Sequence, residues 1–169
     1  RQLWARQQIN CCDVDYTVWD LKREAIRRTA DTAGRCVFTV DVFKGIYDYA
    51  SAGFEGLFGI ERSTLDNISA HDGLIEGLIH PEDRHRLTDL QITHAQFIYS
   101  QPPAGRNDYS TIYQGRMLNR QKRYMNVISR QHVLERDRKG KAWIVMGALE
   151  ISPDQRPGLS LKCSVWNLR

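Results

Sequence analysis

Residues 109–151 read YSTIYQGRMLNRQKRYMNVISRQHVLERDRKGKAWIVMGALEI, and this stretch decides the fold. Apolar and polar residues alternate through 109–119, again through 122–136, and again through 141–151. That period of two is the signature of strands with one buried face. Between the second and third runs, Asp137-Arg138-Lys139-Gly140 reads as a tight turn, with Gly140 supplying the positive φ. Long strands joined by tight turns form an antiparallel meander.

Working back toward the N-terminus, His80-Pro81-Glu82-Asp83 marks the start of a helix. Pro81 suits the first helical position, where its missing N–H costs nothing. Glu82 and Asp83 sit where the helix dipole favours negative charge, and His80 reads as the N-cap. Leu87, Leu90, His94, Phe97 and Ile98 continue one face to about Tyr99. Gln101-Pro102-Pro103-Ala104-Gly105 then breaks the helix.

Earlier still, 36–43 (CVFTVDVF) is a β-branched and aromatic strand, Lys44-Gly45 a turn and 46–51 a second strand, so the pair predicts a hairpin. Gly53 to Ile60, Ser63 or Thr64, and 72–78 each read as a short helical turn that must pack on a sheet. Thr17-Val18-Trp19-Asp20 reads as a capping box opening a helix over 18–33. Val18, Leu21, Ala25 and Thr29 form its stripe, and Gly34 its stop. Trp19 and Ile26 lie on a neighbouring face. Two apolar faces predict two partners, the domain itself and a second subunit, so Trp19 and Ile26 are the expected dimer contacts.

The element order predicts an α+β fold: a five-stranded antiparallel sheet with short helices and one long helix on one face, plus an N-terminal helix. Residues 1–34 form an N-terminal segment, 35–153 the domain, and 154–169 a connector. No run of apolar residues is long enough to span a membrane. The polar start carries no signal peptide, and a first residue other than Met suggests a fragment. The four cysteines include no C-x-x-C pair, so neither a disulfide framework nor a zinc site is expected, and reduced thiols point to the cytoplasm.

Charge is unevenly spread within a net +4. Residues 41–89 hold ten acids against four bases, whereas 114–141 hold nine bases against two acids. The basic half carries few exposed-looking aromatics for stacking bases and no evident groove-reading helix, so it reads as a solvated hairpin rather than a nucleic-acid surface.

Alternation also yields a pocket. Tyr113, Gly115 and Met117 share one strand face, and Met125, Val127 and Ser129 share the next. Gly115 removes a side chain and Ser129 adds one polar group. Leu57, Phe58, Leu90 and Phe97 would close the space from the helix side.

Several stretches carry a resemblance to PAS domains. They are Asp48-Tyr49-Ala50-Ser51 with Gly53-Phe54-Glu55-Gly56-Leu57-Phe58-Gly59, then Leu78-Ile79-His80-Pro81-Glu82-Asp83-Arg84. Arg116-Met117-Leu118-Asn119 through Tyr124 follows, then 133–141, closing at Gly147-Ala148-Leu149-Glu150-Ile151-Ser152. The last is similar to the family's G-x-x-x-D-I-[ST] ending, with Glu150 in place of Asp. Order and spacing, rather than any single motif, make the match, which covers 36–152. The resemblance implies a sensory module that pairs with itself and does not catalyse. The leading helix and the turn at 133–141 are similar to the sensor part of bacterial LuxR-type transcription regulators. In those, a helix-turn-helix domain, here outside the chain, would bind DNA. The alternatives are a sensor attached to a histidine kinase or cyclic-dinucleotide enzyme, and a free-standing α+β enzyme.

The resemblance also sets what cofactors to look for. A flavin sensor needs a Cys in an Asn-Cys-Arg-like helix, and 53–66 holds no Cys. A haem sensor needs an axial His near the long helix, where His85 and His94 stand, but a lone helical His reads as a surface or core residue. No His pair has metal-ligand spacing, no serine sits in a nucleophile elbow, and no phosphate loop occurs. No cofactor and no metal is therefore expected, and a small-molecule ligand is the open possibility.

Overall fold

Six strands form one antiparallel sheet in the order β2-β1-β5-β4-β3-β6. In the computed structural model, which describes residues 9–169, β1 is Cys36–Asp41 and β2 Ile46–Ala50. The meander is β3 Tyr109–Leu118, β4 Tyr124–Arg136 and β5 Ala142–Ile151. Expectations that fall on residues 1–8 lie outside the described residues.

The α+β architecture stands, with one addition. The segment expected as a connector contributes a sixth strand, β6 Lys162–Asn167, paired along β3 from Tyr109↔Asn167 to Gln114↔Lys162. What returns the chain to the sheet is a polar loop. The Asn126 amide donates to the carbonyls of Asp154 and Arg156 at 3.0 and 3.2 Å. Gln155 Nε2 donates back to the carbonyls of Asn126 and Ser152. These bonds bury Leu161 just before the strand.

Two helical layers cover the two faces. On one lie α2 Gly53–Phe58, α3 Arg62–Leu65, α4 Leu74–Leu78 and α5 Pro81–Ser100. The other carries α1, Tyr16–Thr32. Along β1, alternation sends Phe38 into the cluster with Phe54, Phe58, Met117, Val127 and Leu149. It sends Val37 into a separate cluster with Tyr49 and Ala30 of α1.

In β2 a bulge breaks the alternation, because Thr39 pairs with Tyr49 but Val40 pairs with Tyr47. Tyr47 thus faces the α5 layer while Asp48 and Tyr49 both serve α1. Asp48 accepts from Trp19 Nε1 at 2.8 Å and Arg23 at 2.9 Å, and Tyr49 donates to Asp31 at 3.1 Å. At the other end of α1, Tyr16 donates to the buried Asp41 at 2.6 Å.

These bonds correct three details of α1. The helix starts earlier than expected, because Asp15 rather than Thr17 caps it, accepting from the amides of Thr17 and Val18. The Val18–Leu21–Ala25 stripe faces outward, with Leu21 73% exposed. Trp19 is fully buried against its own domain with Trp143 and Ile144, and Ile26 packs against both that cluster and the one of Val37 and Tyr49. The indole N–H needs a buried acceptor, and Asp48 supplies it. Trp19 therefore has no surface to offer a second subunit.

Across β1 and β5, Phe38 sits opposite Gly147, and the ring fills the space where a Cβ would stand. Replacing Gly147 by Ala is expected to drive the ring off its site and destabilise the fold by about 1–3 kcal/mol, as overpacking does. Urea denaturation with an unchanged m-value checks this, and a loss below about 0.5 kcal/mol would contradict it.

Candidate functional site

A cavity of about 210 Å³ lies between the sheet and α5. Its floor is Phe38 and Val40 of β1, Tyr47 of β2, Tyr113, Gly115 and Met117 of β3, Val127, Ser129 and Gln131 of β4, and Val145 and Leu149 of β5. Arg84, Leu87, Thr88 and Gln91 of α5 form the roof, and Ile75, Glu76, Ile79 and Leu161 close the sides.

The roof stays in place through the start of α5. His80 caps the helix by accepting from the Glu82 amide, and its own N–H donates to the Arg116 carbonyl of β3 at 2.9 Å. Asp83, only 2% exposed, takes the Arg116 guanidinium with both oxygens, at 2.7 Å from Nη2 and 3.1 Å from Nε. It also accepts from the Arg116 backbone N–H at 2.9 Å, and Glu82 adds a 2.8 Å contact to Nη2. Burial pushes the Asp83 carboxyl up, but the bonds from Arg116 and its charge outweigh that and hold the carboxyl below its ordinary value. Asp83 thus binds a strand as well as lying where the helix dipole favours negative charge.

Five of the ten expected pocket residues line the cavity: Tyr113, Gly115, Met117, Val127 and Ser129. The other five do not. Met125 shares the strand face but lies with Leu57 against the apolar core that contains Phe58, beyond the cavity's end. Leu90 is half-buried and outside the cavity wall. Phe97 lies past the cavity, 45% exposed, with its ring edge-on to Tyr109 at 5.6 Å. The physical reason is that α5 turns Arg84, Leu87, Thr88 and Gln91 inward, so the face toward the cavity is mostly polar rather than the apolar stripe. Gln131 was within reach of the sequence, since it extends the alternation Val127–Ser129 by one step. Leu161 was not, because its place depends on the Asn126–Gln155 loop.

Besides the neutral side chains of Thr88, Gln91, Ser129 and Gln131, the cavity is bordered by phenols and by an arginine. Tyr47 and Tyr113 are neutral phenols, each pushed up to about 12 by burial. Arg84 donates from Nη2 to the Ile79 carbonyl at 3.2 Å, while its Nε is buried with no hydrogen-bond partner. Leaving such a donor unmade costs on the order of 1–3 kcal/mol. Among the described residues no three His, Cys, Asp or Glu side chains gather as a metal site.

Of the two helical histidines considered as axial ligands, His85 is exposed. His94 stacks on Tyr113 at 5.6 Å and borders a separate space of about 40 Å³ that it shares with His132 and Arg136. Its Nδ1 is buried without a partner, and burial lowers its pKa.

No family model matches the chain, and no curated protein matches it in sequence. Solved structures match its shape. A PAS domain from Colwellia psychrerythraea superposes with a TM-score of 0.56 at 16% identity, covering 79% of this chain and 97% of that one. The PAS domain of BvgS from Bordetella pertussis gives 0.53 at 12% identity, covering 79% and 88%. A PAS domain from a two-component sensor histidine kinase gives 0.50 at 13% identity, covering 79% and 99%. At these identities the likeness is one of fold, and the fold is that of PAS domains.

The pair and the histidine each generate a test. Asp83→Asn is expected to cost about 2–3 kcal/mol near neutral pH, because Arg116 keeps its charge and loses its buried partner. Since the folded pKa of Asp83 is depressed, its contribution is present above the unfolded carboxylate value and vanishes as pH falls through the folded one. Wild type and variant should therefore converge in stability in acid, measured by denaturation at several pH values. For His94 the folded pKa is also depressed, but the neutral form is the one favoured. Stability should be full above about pH 6.5 and decline below it as the unfolded chain takes up the proton first. His94→Gln should flatten that decline, and an unchanged slope would refute the assignment.

Proposed function

We propose that the chain is the signal-sensing PAS module of a bacterial transcriptional regulator, working as a homodimer in the cytoplasm, with DNA bound by a helix-turn-helix domain outside it. The observation that carries the sensing role is the cavity of about 210 Å³, lined by both apolar and polar side chains and bordered by Arg84, whose charge has no anionic partner among the described residues. An unfilled hollow that joins apolar walls to a few convergent polar groups is the arrangement of a ligand site rather than of a packed core. The resemblance of 133–141 and of the leading helix to LuxR-type sensors supports the regulator. For pairing, the exposed Val18 and Leu21 of α1 replace Trp19 and Ile26 as the proposed contact.

Native mass spectrometry of the purified protein, followed by a metabolite screen read as melting temperature, tests the sensing role. A cavity ligand at a hundredfold over its Kd should raise the melting temperature by about 5–10 °C. Ser129→Leu, which fills the cavity, should abolish the rise while the protein stays folded. Absence of any bound mass together with no rise across the screen would overturn the role. Leu21→Glu should convert dimer to monomer in sedimentation, and the coding sequence following Arg169 should hold a helix-turn-helix rather than a phosphotransfer helix.

A further inference from the structure

Two arginines border the cavity, and only one has an anionic partner. Arg116 is bound by Asp83 and Glu82. Arg84 makes no ion pair among the described residues, and its Nε is buried and unpartnered. Arginine does not lose its proton in proteins, so this is a standing positive charge beside apolar walls. Such a charge calls for an anion, and a carboxylate presents oxygens with the geometry to meet a guanidinium. Glu76, the one acidic residue bordering the cavity, is exposed and forms no bond with Arg84. Further hydrogen-bonding groups wait nearby, since the side chains of Gln91, Ser129 and Gln131 border the cavity.

The rest of the wall limits what else the anion carries. Phe38, Val40, Met117, Val127 and Leu149 offer only apolar contact. The volume, about 210 Å³, is that of roughly seven waters in the liquid, enough for a small organic acid. A polyanion would need several more cations than the single open one. We infer that the cavity holds a small monocarboxylate with a short apolar body, its carboxylate on the Arg84 guanidinium and its body against β1 and β4. This inference rests on the cavity being the ligand site.

Calorimetric titration with hexanoate, hexanol and inorganic phosphate separates the possibilities. Hexanoate should bind the wild-type protein at least about tenfold more tightly than hexanol, the gain of a charge-assisted hydrogen bond, and phosphate should not bind. In Arg84→Gln the affinity for hexanoate should fall to that for hexanol, while hexanol keeps its own within about twofold, which shows the cavity intact. Equal affinities for hexanoate and hexanol in the wild type would overturn the carboxylate and leave the cavity as a ligand site. Tighter binding of phosphate, or an Arg84→Gln protein that still prefers hexanoate, would overturn it as well. If neither organic probe binds, the carboxylate falls. The sensing role falls with it only if the metabolite screen is also empty. The comparison of probes on the wild type holds even if the variant does not fold.

Discussion

The grip of Asp83 on Arg116 is the constraint on which the rest depends. One buried carboxylate holds both the side chain and the backbone N–H of a strand residue, and it does so from the first turn of the longest helix. Between this clasp and the contacts further along, where His94 stacks on Tyr113 and Tyr99 accepts from the Ala142 N–H at 3.0 Å, the helix does not have to press its side chains into the sheet. The space below it is therefore not filled by packing. An apolar helix held by burial alone would collapse onto β3 and β4, since each buried apolar group adds to the drive for contact. Ionic attachment at one end permits polar residues on the inward face, and Arg84, Thr88 and Gln91 are those residues.

The other face of the sheet uses the same device. Three acidic side chains, Asp31, Asp41 and Asp48, join α1 to β1 and β2 through Tyr49, Tyr16, Trp19 and Arg23. Tyrosine and tryptophan bury large rings while keeping one donor that must be satisfied, so each specifies its partner more sharply than an aliphatic residue would. The acidic bias read between residues 41 and 89 thus serves, at Asp41, Asp48 and Asp83, to fasten the domain to itself.

The meander and the start of α5 were legible because their signals are local. Alternation over ten residues, a glycine turn and Pro81 at the first helical position all act within a few residues of where they are read. What was missed depends on contacts distant in sequence. On α1 two apolar stripes, through Val18 and through Trp19, are about equally good by spacing. The choice between them is made by Asp48, twenty-nine positions from Trp19. β6 is short and alternates weakly, and its place on β3 is secured by amide bonds from Asn126. The pocket was half legible for a related reason. Strand faces follow from parity, whereas the helix side was read as apolar, the rule for a filled core rather than for a hollow one.

The bulge at Asp48 has a consequence for how the two faces of the sheet communicate with the chain. In a strand of strict parity, residues 47 and 49 would look the same way. Here the extra residue assigns the Tyr47 ring to the interior hollow and the Tyr49 ring to the outer helix. Position 48 is thus a phase shifter. A deletion there would restore the pleat and exchange compartments, forcing one tyrosine to leave either the chamber or the outer layer, with no change in composition elsewhere.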